Sequence, residues 1–243
     1  MTKSRQTSDA VAVPDILYRD GLILVVNKPA GVPVHAGPSG GASLEDTFDA
    51  LRFGLPKPPS LAHRLDRDTS GCLVLGRHAK ALRRLGKLFQ EGRAKKTYWA
   101  IVRGLPPAER GRIDFPLKKV STKAGGWRMI VAPDGQESIT DYMVMGTGEN
   151  GLSWLALWPK TGRTHQIRVH CAQSGFPLYG DPWYGTAEDR LPDSEVPLHL
   201  HARAIELPIY PHKEPVRVEA PLPDFMREAF DLCSARPDAV QVD

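Results

Sequence analysis

The chain has 243 residues, enough to bury a sizeable core as one large domain or two small ones, and its 41% hydrophobic and 25% charged residues are ordinary globular values. No stretch approaches the run of about 18 apolar residues that a membrane span needs, and Met1 to Val13 is polar with no apolar centre, so we expect a flexible leader over residues 1–15, no signal peptide, and a cytoplasmic protein. Net charge is only +4, yet Arg77 to Lys96 sets eight Lys or Arg against Glu91 alone, which suits either a solvated face or a surface that meets phosphates.

In chain order, Leu22 to Val26 reads as a short apolar strand closed by the turn Asn27-Lys28-Pro29-Ala30-Gly31, with Lys28-Pro29 fixing a loop. A glycine-rich loop from Ala36 to Ala42 leads to Ser43, which with Asp46 caps a helix carrying Leu44, Phe48 and Leu51 on one face. Three prolines make Gly54 to Ser60 an extended connection. It delivers the chain to His63-Arg64-Leu65-Asp66-Arg67-Asp68, and Cys72 to Leu75 then forms a buried strand. From Ala79 to Glu91, Leu82, Leu85, Leu88 and Phe89 make the apolar stripe of a basic amphipathic helix stopped by Gly92.

Strand composition recurs at Thr97–Val102, Arg112–Leu117, Arg128–Val131, Ile139–Met145 and Ser153–Trp158. Thr164 to Ser174 predicts a helix ended by Gly175, strands resume near Leu198–Leu207 and Val216–Ala220, and Phe225 to Cys233 suggests a last helix. Strands outnumber helices without alternating with them, so the expected fold class is α+β, with a mixed, largely antiparallel sheet and flanking helices. We expect one domain over residues 16–230 and a tail over 231–243. Cys72, Cys171 and Cys233 are odd in number, widely separated and lack a Cys-x-x-Cys pair, which marks them as core residues outside any disulfide framework.

Asp66 lies close to a buried strand, and a carboxylate near the interior needs a cation or several hydrogen bonds. Arg168, in Gly162-Arg163-Thr164-His165-Gln166-Ile167-Arg168, is the candidate partner, because it flanks the core-facing Ile167 and Cys171. Two histidine pairs, His165/His170 and His199/His201, invite a metal reading, but no third ligand stands at a characteristic spacing, so no metal is expected. Trp127, Trp154, Trp158 and Trp183 suit core packing better than base stacking.

Six segments in order, NKPAG (27–31), HRLDRDTSG (63–71), KKTYWAIVRG (95–104), TGRTHQIRVH (161–170), LYGDPWYG (178–185) and LHA (200–202), resemble the RluA-type RNA pseudouridine synthases. The resemblance implies a pseudouridine synthase catalytic domain, without an S4 domain, whose sheet is divided by a central RNA-binding cleft. It places the catalytic aspartate on Asp66, the active-site tyrosine on Tyr98 and the aspartate-pairing arginine on Arg168. It further implies that Leu200 packs near the target base and that Arg64 enters the RNA stack where that base was.

The implied reaction breaks the N1–C1′ bond of a uridine, rotates the uracil and rejoins it through C5, using no cofactor. Asp66 would add to C6, attack C1′ or act at C2′; Arg168 would hold it ionised, since an opposite charge within about 4–6 Å lowers a carboxylate pKa. Tyr98 would stack on the uracil near the C5 proton. Arg83, Arg84, Lys87 and Arg163 are candidate contacts to the RNA backbone. The expected partner is ribosomal or transfer RNA, with no obligatory protein partner and a monomeric enzyme. The rival is a non-catalytic RNA-binding or RNA-remodelling protein with the same cleft, disfavoured by the joint presence of Asp66, Tyr98 and Arg168.

Overall fold

The computed structural model describes residues 11–37, 40–121, 126–148, 150–190 and 195–235. Residues 1–10 of the expected leader, 236–243 of the expected tail, and positions 38, 39 and 122–125 lie outside them.

Strand β1 (Ile16–Arg19) pairs antiparallel with β2 (Ile23–Lys28), whose Ile23 to Val26 are fully buried. Such a run has no polar alternate because both faces of the strand are covered. Just before β1, Val11 packs against the core and Pro14 is buried, so the described chain joins the fold upstream of Ile16. The helix expected after Ser43 is present at Leu44–Leu51, but wound as a 3-10 helix. The Asp46 carboxylate accepts from Ser43 N–H at 2.7 Å, and Thr47 Oγ1 donates to the Leu44 carbonyl three residues back at 2.7 Å, a local bond that suits the tighter winding. After β3 (Ser60–Leu61) comes β4 (Ser70–Gly76), buried at every position.

Helix α1 (Ala79–Gln90) buries Ala81, Leu85 and Leu88 and leaves Lys80, Arg83 and Lys87 exposed, with Arg84 half-buried. It ends at Gly92, whose φ of +67° permits the reversal. Strand β5 (Lys95–Arg103) follows. The single strand expected over Arg112–Leu117 is instead two, β6 (Arg110–Asp114) and β7 (Leu117–Ser121). Pro116 between them has no N–H to give a ladder, and the chain leaves the main sheet there to build a separate hairpin from β7 and β8 (Trp127–Val131).

Strands β9 (Ile139–Thr147) and β10 (Leu152–Pro159) pair with each other, and β10 pairs with β5. Helix α2 is Gln166–Gln173, two residues shorter at its start than expected, because His165 has a left-handed φ of 52°. β11 (Leu200–Leu207) and β12 (Val216–Glu219) form a hairpin; α3 (Asp224–Asp231) covers the sheet, and β13 (Ser234–Ala235) adds to β9. Cys72, Cys171 and Cys233 are all buried free thiols. No helix among the described residues is long and apolar enough to cross a membrane.

The sheet runs β1-β2-β4-β11-β5-β10-β9-β13, with β3, β6 and β12 pairing off this path, and it is antiparallel everywhere except at β4·β11. That parallel contact has only two registered pairs, His201 with Ser70 and Ala202 with Gly71. There the sheet divides, and β4 and β11 start side by side while β5 runs against them. Gly71 sits in this seam with φ +105°, and a Cβ on it would lie 2.3 Å from the Ala202 carbonyl oxygen. Backbone cannot yield as a side-chain tip can, so Gly71→Ala is expected to destabilise the protein by about 3 kcal/mol or more, read from the urea midpoint.

Candidate active site

A cleft of about 660 Å³ opens at the seam. Arg64, Asp66, Tyr98, Arg163, Arg168 and Leu200, drawn from four separate stretches of the chain, all line it. Arg83, Arg84 and Lys87 do not; they stand on α1 outside the lining, and Lys87 has Glu91 3.7 Å away. Leu200 opens β11 and packs on the core beneath the cleft, and Arg64 is exposed at it with no ion pair among the described residues.

The loop bearing Asp66 is pinned from three directions. Lys28, fully buried, donates its ammonium to the carbonyls of Pro29, Val32 and Arg67 at 2.7, 2.6 and 2.7 Å, using all three of its protons. Burial pulls that ammonium down to about 7, opposed by the charges of Asp68 and Asp66. His63 accepts from Val74 N–H at 3.0 Å, and Arg67 Nε donates to the Gly31 carbonyl at 2.9 Å. Within the loop, Thr69 N–H donates to the Asp66 carbonyl at 3.2 Å, so the backbone of Asp66 belongs to a closed turn.

Arg168 does not make the direct pair with Asp66 that the sequence suggested. Its guanidinium grips Asp181 in a buried bidentate pair, Nε to Oδ2 at 2.8 Å and Nη2 to Oδ1 at 2.7 Å. Asp181 Oδ1 also accepts from the backbone N–H groups of Trp183 and Tyr184 at 2.9 and 3.0 Å. The reason is geometric: the LYGDPWYG segment turns back at Asp181 and presents its carboxylate edge-on to the guanidinium fork, a fit that a single turn can provide. Burial draws Arg168 down, but the bonds and charge of Asp181 prevail and hold it above its ordinary value.

Arg168 therefore acts on Asp66 as a fixed charge through space. Asp66, with a side chain 17% exposed, has its pKa raised, because desolvation outweighs the positive charges of Arg168 and Arg64. The charge of Arg168 does draw this carboxylate down, as expected, but burial is the larger effect and the net shift is upward. Among the described residues, the one Lys, Arg or His nitrogen within 4.0 Å of its carboxylate is His165 Nε2, 4.0 Å from Oδ1.

The state of His165 follows from its other bond. Tyr184 Oη accepts from Met129 N–H at 3.1 Å and lies 3.0 Å from His165 Nδ1. The phenol can accept from Met129 N–H and give its own proton to Nδ1, and in that tautomer the imidazole hydrogen sits on Nε2, facing Asp66. Burial and the charge of Arg168 hold the ring down to about 3, so it is neutral. Trp127 lies over the ring at 5.1 Å and Trp183 meets it edge-on at 5.0 Å, fixing its plane. Tyr98 is likewise neutral: burial first, then the charge of Asp66, push its phenol well above the ordinary value.

The other histidines serve the scaffold. His170 bonds Thr140 Oγ1 and the Phe115 carbonyl at 3.0 and 3.1 Å, His199 the Pro197 carbonyl at 2.8 Å, and His201 Ser70 Oγ at 2.8 Å. Among the described residues no three His, Cys, Asp or Glu side chains are grouped to hold a metal ion. Trp154 packs with Trp99 and Phe230 in the core under α3. The sequence reading missed Asp181 and the role of His165. Both stand in the motifs that carried the resemblance, but their contacts are 13 and 99 residues away in the chain, outside the reach of any local pattern.

Residues 22–173 match the RNA pseudouridylate synthase family. An uncharacterized RNA pseudouridine synthase of Zymomonas mobilis is 43% identical over 86% of this chain and 93% of its own length. The chain is an RNA pseudouridylate synthase family member. The ribosomal large subunit pseudouridine synthase C of Buchnera aphidicola is 38% identical over 70% of this chain, which spans 54% of that protein. Among solved structures, human RNA Pseudouridylate Synthase Domain Containing 4 superposes with a TM-score of 0.74 at 28% identity, covering 89% of this chain and 91% of that one.

Two substitutions in the synthase should move stability in opposite directions. Arg168→Met strands the buried Asp181 and is expected to cost about 3–5 kcal/mol. Asp66→Asn should raise the urea midpoint at pH 7. A carboxyl whose folded pKa is raised contributes stability that is full below its unfolded pKa and lost as pH rises through the folded value, so at pH 7 the charged form is a burden that Asn removes. The gain should vanish below about pH 4, near the ordinary carboxylate value.

Proposed function

We propose that this synthase isomerises uridines in structured RNA, ribosomal RNA foremost, by taking the target nucleotide out of its stack and attacking it with Asp66. The observation that carries this reading is the desolvated Asp66 carboxylate, one wall of a cleft large enough for a nucleobase, with a guanidinium nearby that is bound elsewhere. A carboxylate whose lone pairs are not locked in a bidentate ion pair keeps them for attack, and low local polarity raises its reactivity. The printed name of the Buchnera relative favours ribosomal RNA as the first substrate to try.

A paired base cannot enter this cleft, so the nucleotide is extruded, with unstacking of about a few kcal/mol. The exposed guanidinium of Arg64 is planar and unpaired, and fills the vacated stack. Leu200 supports one side of the uracil and the Tyr98 ring the other. Asp66 attacks uracil or ribose, the N1–C1′ bond breaks, the base turns, and C5 bonds to C1′; one proton leaves C5 and one is gained at N1, with no net oxidation. His165 Nε2–H, 4.0 Å from Asp66 in the free protein, closes on the carboxylate and orients it. Arg83, Arg84, Lys87 and Arg163 meet flanking phosphates, and residues 16–230 act as one catalytic domain, monomeric and cytoplasmic.

The test uses ribosomal RNA transcribed with tritium at uracil C5. Wild type should release label to water. Asp66→Asn should release less than about a hundredth as fast while still binding RNA, since loss of a nucleophile removes several decades of rate. Binding without release by wild type would make the protein an RNA binder that has kept the cleft.

The kcat/KM for RNA should also fall on acidification, with an inflection above the ordinary carboxylate range, because Asp66 must be ionised to attack and its pKa is raised in the free protein. His165 and His63, both near 3, do not titrate in that window. A kcat/KM flat down to pH 4 would remove Asp66 from the attacking role.

A further inference from the structure

Lys95 and Lys96 are adjacent on β5 and meet opposite fates. Side chains of a strand alternate between faces, so they point apart. Lys95 reaches Glu206 on β11 at 2.9 Å. Lys96, on the same face as Tyr98, lines the cleft, half-buried, and has no carboxylate partner among the described residues. Its one bond among the described residues is long: Nζ donates to the Thr161 carbonyl at 3.3 Å. An ammonium carries three donors, so two are left without a partner among the described residues.

Burial alone depresses Lys96 to about 8, and no acidic group offsets it. Its charge is felt inside the cleft, where it helps hold His63 neutral. A half-buried cation without a counter-charge weakens the fold, unlike the carbonyl-caged Lys28, and is explained when a ligand brings the missing negative charge. The opposite wall is Thr161-Gly162-Arg163, and Gly162 is the close neighbour of Nζ: even a Cβ there would come within 3.9 Å of it.

Resting on the reading of the cleft as an RNA site, we propose that Lys96 is the anchor for one RNA phosphate beside the nucleotide seated at Asp66. Lys96 and Tyr98 are two residues apart on one strand, roughly 7 Å, which puts the ammonium past the edge of a base stacked on Tyr98 and over the neighbouring backbone. A phosphate would accept the two free donors as charge-assisted bonds. The contact reads no sequence; it sets the register of the strand so that the target ribose meets the nucleophile.

The test measures equilibrium binding of a large-subunit ribosomal RNA transcript from 50 to 300 mM KCl for wild type, Lys96→Gln, Lys96→Met and Lys96→Arg. Gln keeps a donor for the Thr161 carbonyl without the charge, so it separates propping the loop from binding an anion. For one lost phosphate contact, the slope of log K against log salt should become shallower by about 0.7–0.9 in Gln and Met and stay close to wild type in Arg. In tritium release, KM should rise several-fold more than kcat falls, and the melting midpoint of Met should equal or exceed that of wild type. An unchanged slope in Gln and Met, with wild type binding normally, overturns the assignment by itself. Wild type without salt-dependent binding overturns the RNA reading and this anchor with it.

Discussion

The arrangement of the cleft depends on one ion pair, the buried bidentate contact between Arg168 and Asp181. Removing two charges from water is expensive, and their attraction compensates only when geometry is good and the remaining lone pairs are satisfied. Both conditions hold, since Asp181 also takes two backbone N–H bonds from the turn it begins. The consequence for chemistry is indirect. With its fork committed to Asp181, Arg168 gives the cleft a positive potential without binding Asp66, and Asp66 stays desolvated with its oxygens facing the cavity and His165. Had Arg168 gripped Asp66 instead, the carboxylate's lone pairs would be locked in an ion pair and Asp181 would be left buried without its cation.

Around that pair the fold acts as a clamp on short loops. The parallel seam between β4 and β11 is only two residue pairs long, and its closeness depends on Gly71. Because β4 and β11 begin at the same end, the loop before β4, which carries Asp66, and the first residue of β11, Leu200, arrive side by side, while β5 passes Tyr98 and Lys96 between them from the other direction. Lys28 ties the Asp66 loop, through the Arg67 carbonyl, to its own turn, through those of Pro29 and Val32, and the β7–β8 hairpin closes the far side by setting Trp127 on His165 and Met129 N–H on Tyr184. The hairpin and the His165 ring are thus linked through Tyr184, whose hydroxyl bonds both.

The balance of charges separates structural from available cations. Lys28 is enclosed by carbonyls, Lys95 and Arg103 have carboxylates, and Arg168 has Asp181. Arg64 and Lys96 line the cleft and have no ion pair among the described residues. The charges on α1 stand outside the cleft and Arg64 is exposed, all within reach of screening by salt, whereas Lys96 is half-buried and is screened less.

Local pattern alone determined a good deal here. The buried runs at 23–26 and 72–75, the basic amphipathic helix from Ala79, the extended proline segment and the surplus of strands over alternating helices were all legible, because burial on one face or both leaves a period of 3.6 or an unbroken apolar run in the chain itself. Asp66, Tyr98, Arg168 and Leu200 were also picked out from motifs, and they do line one cleft. What the tertiary structure decided was partnership. Whether Arg168 would meet Asp66 or Asp181, whether Lys96 would find a carboxylate as Lys95 does, where Pro116 would send the chain, and which nitrogen of His165 keeps its proton all depend on groups brought together across tens to more than a hundred residues. The pKa of Asp66 belongs with these, since its sign turned on desolvation against charge, and desolvation is a property of everything packed around a residue, which no stretch of neighbouring letters contains.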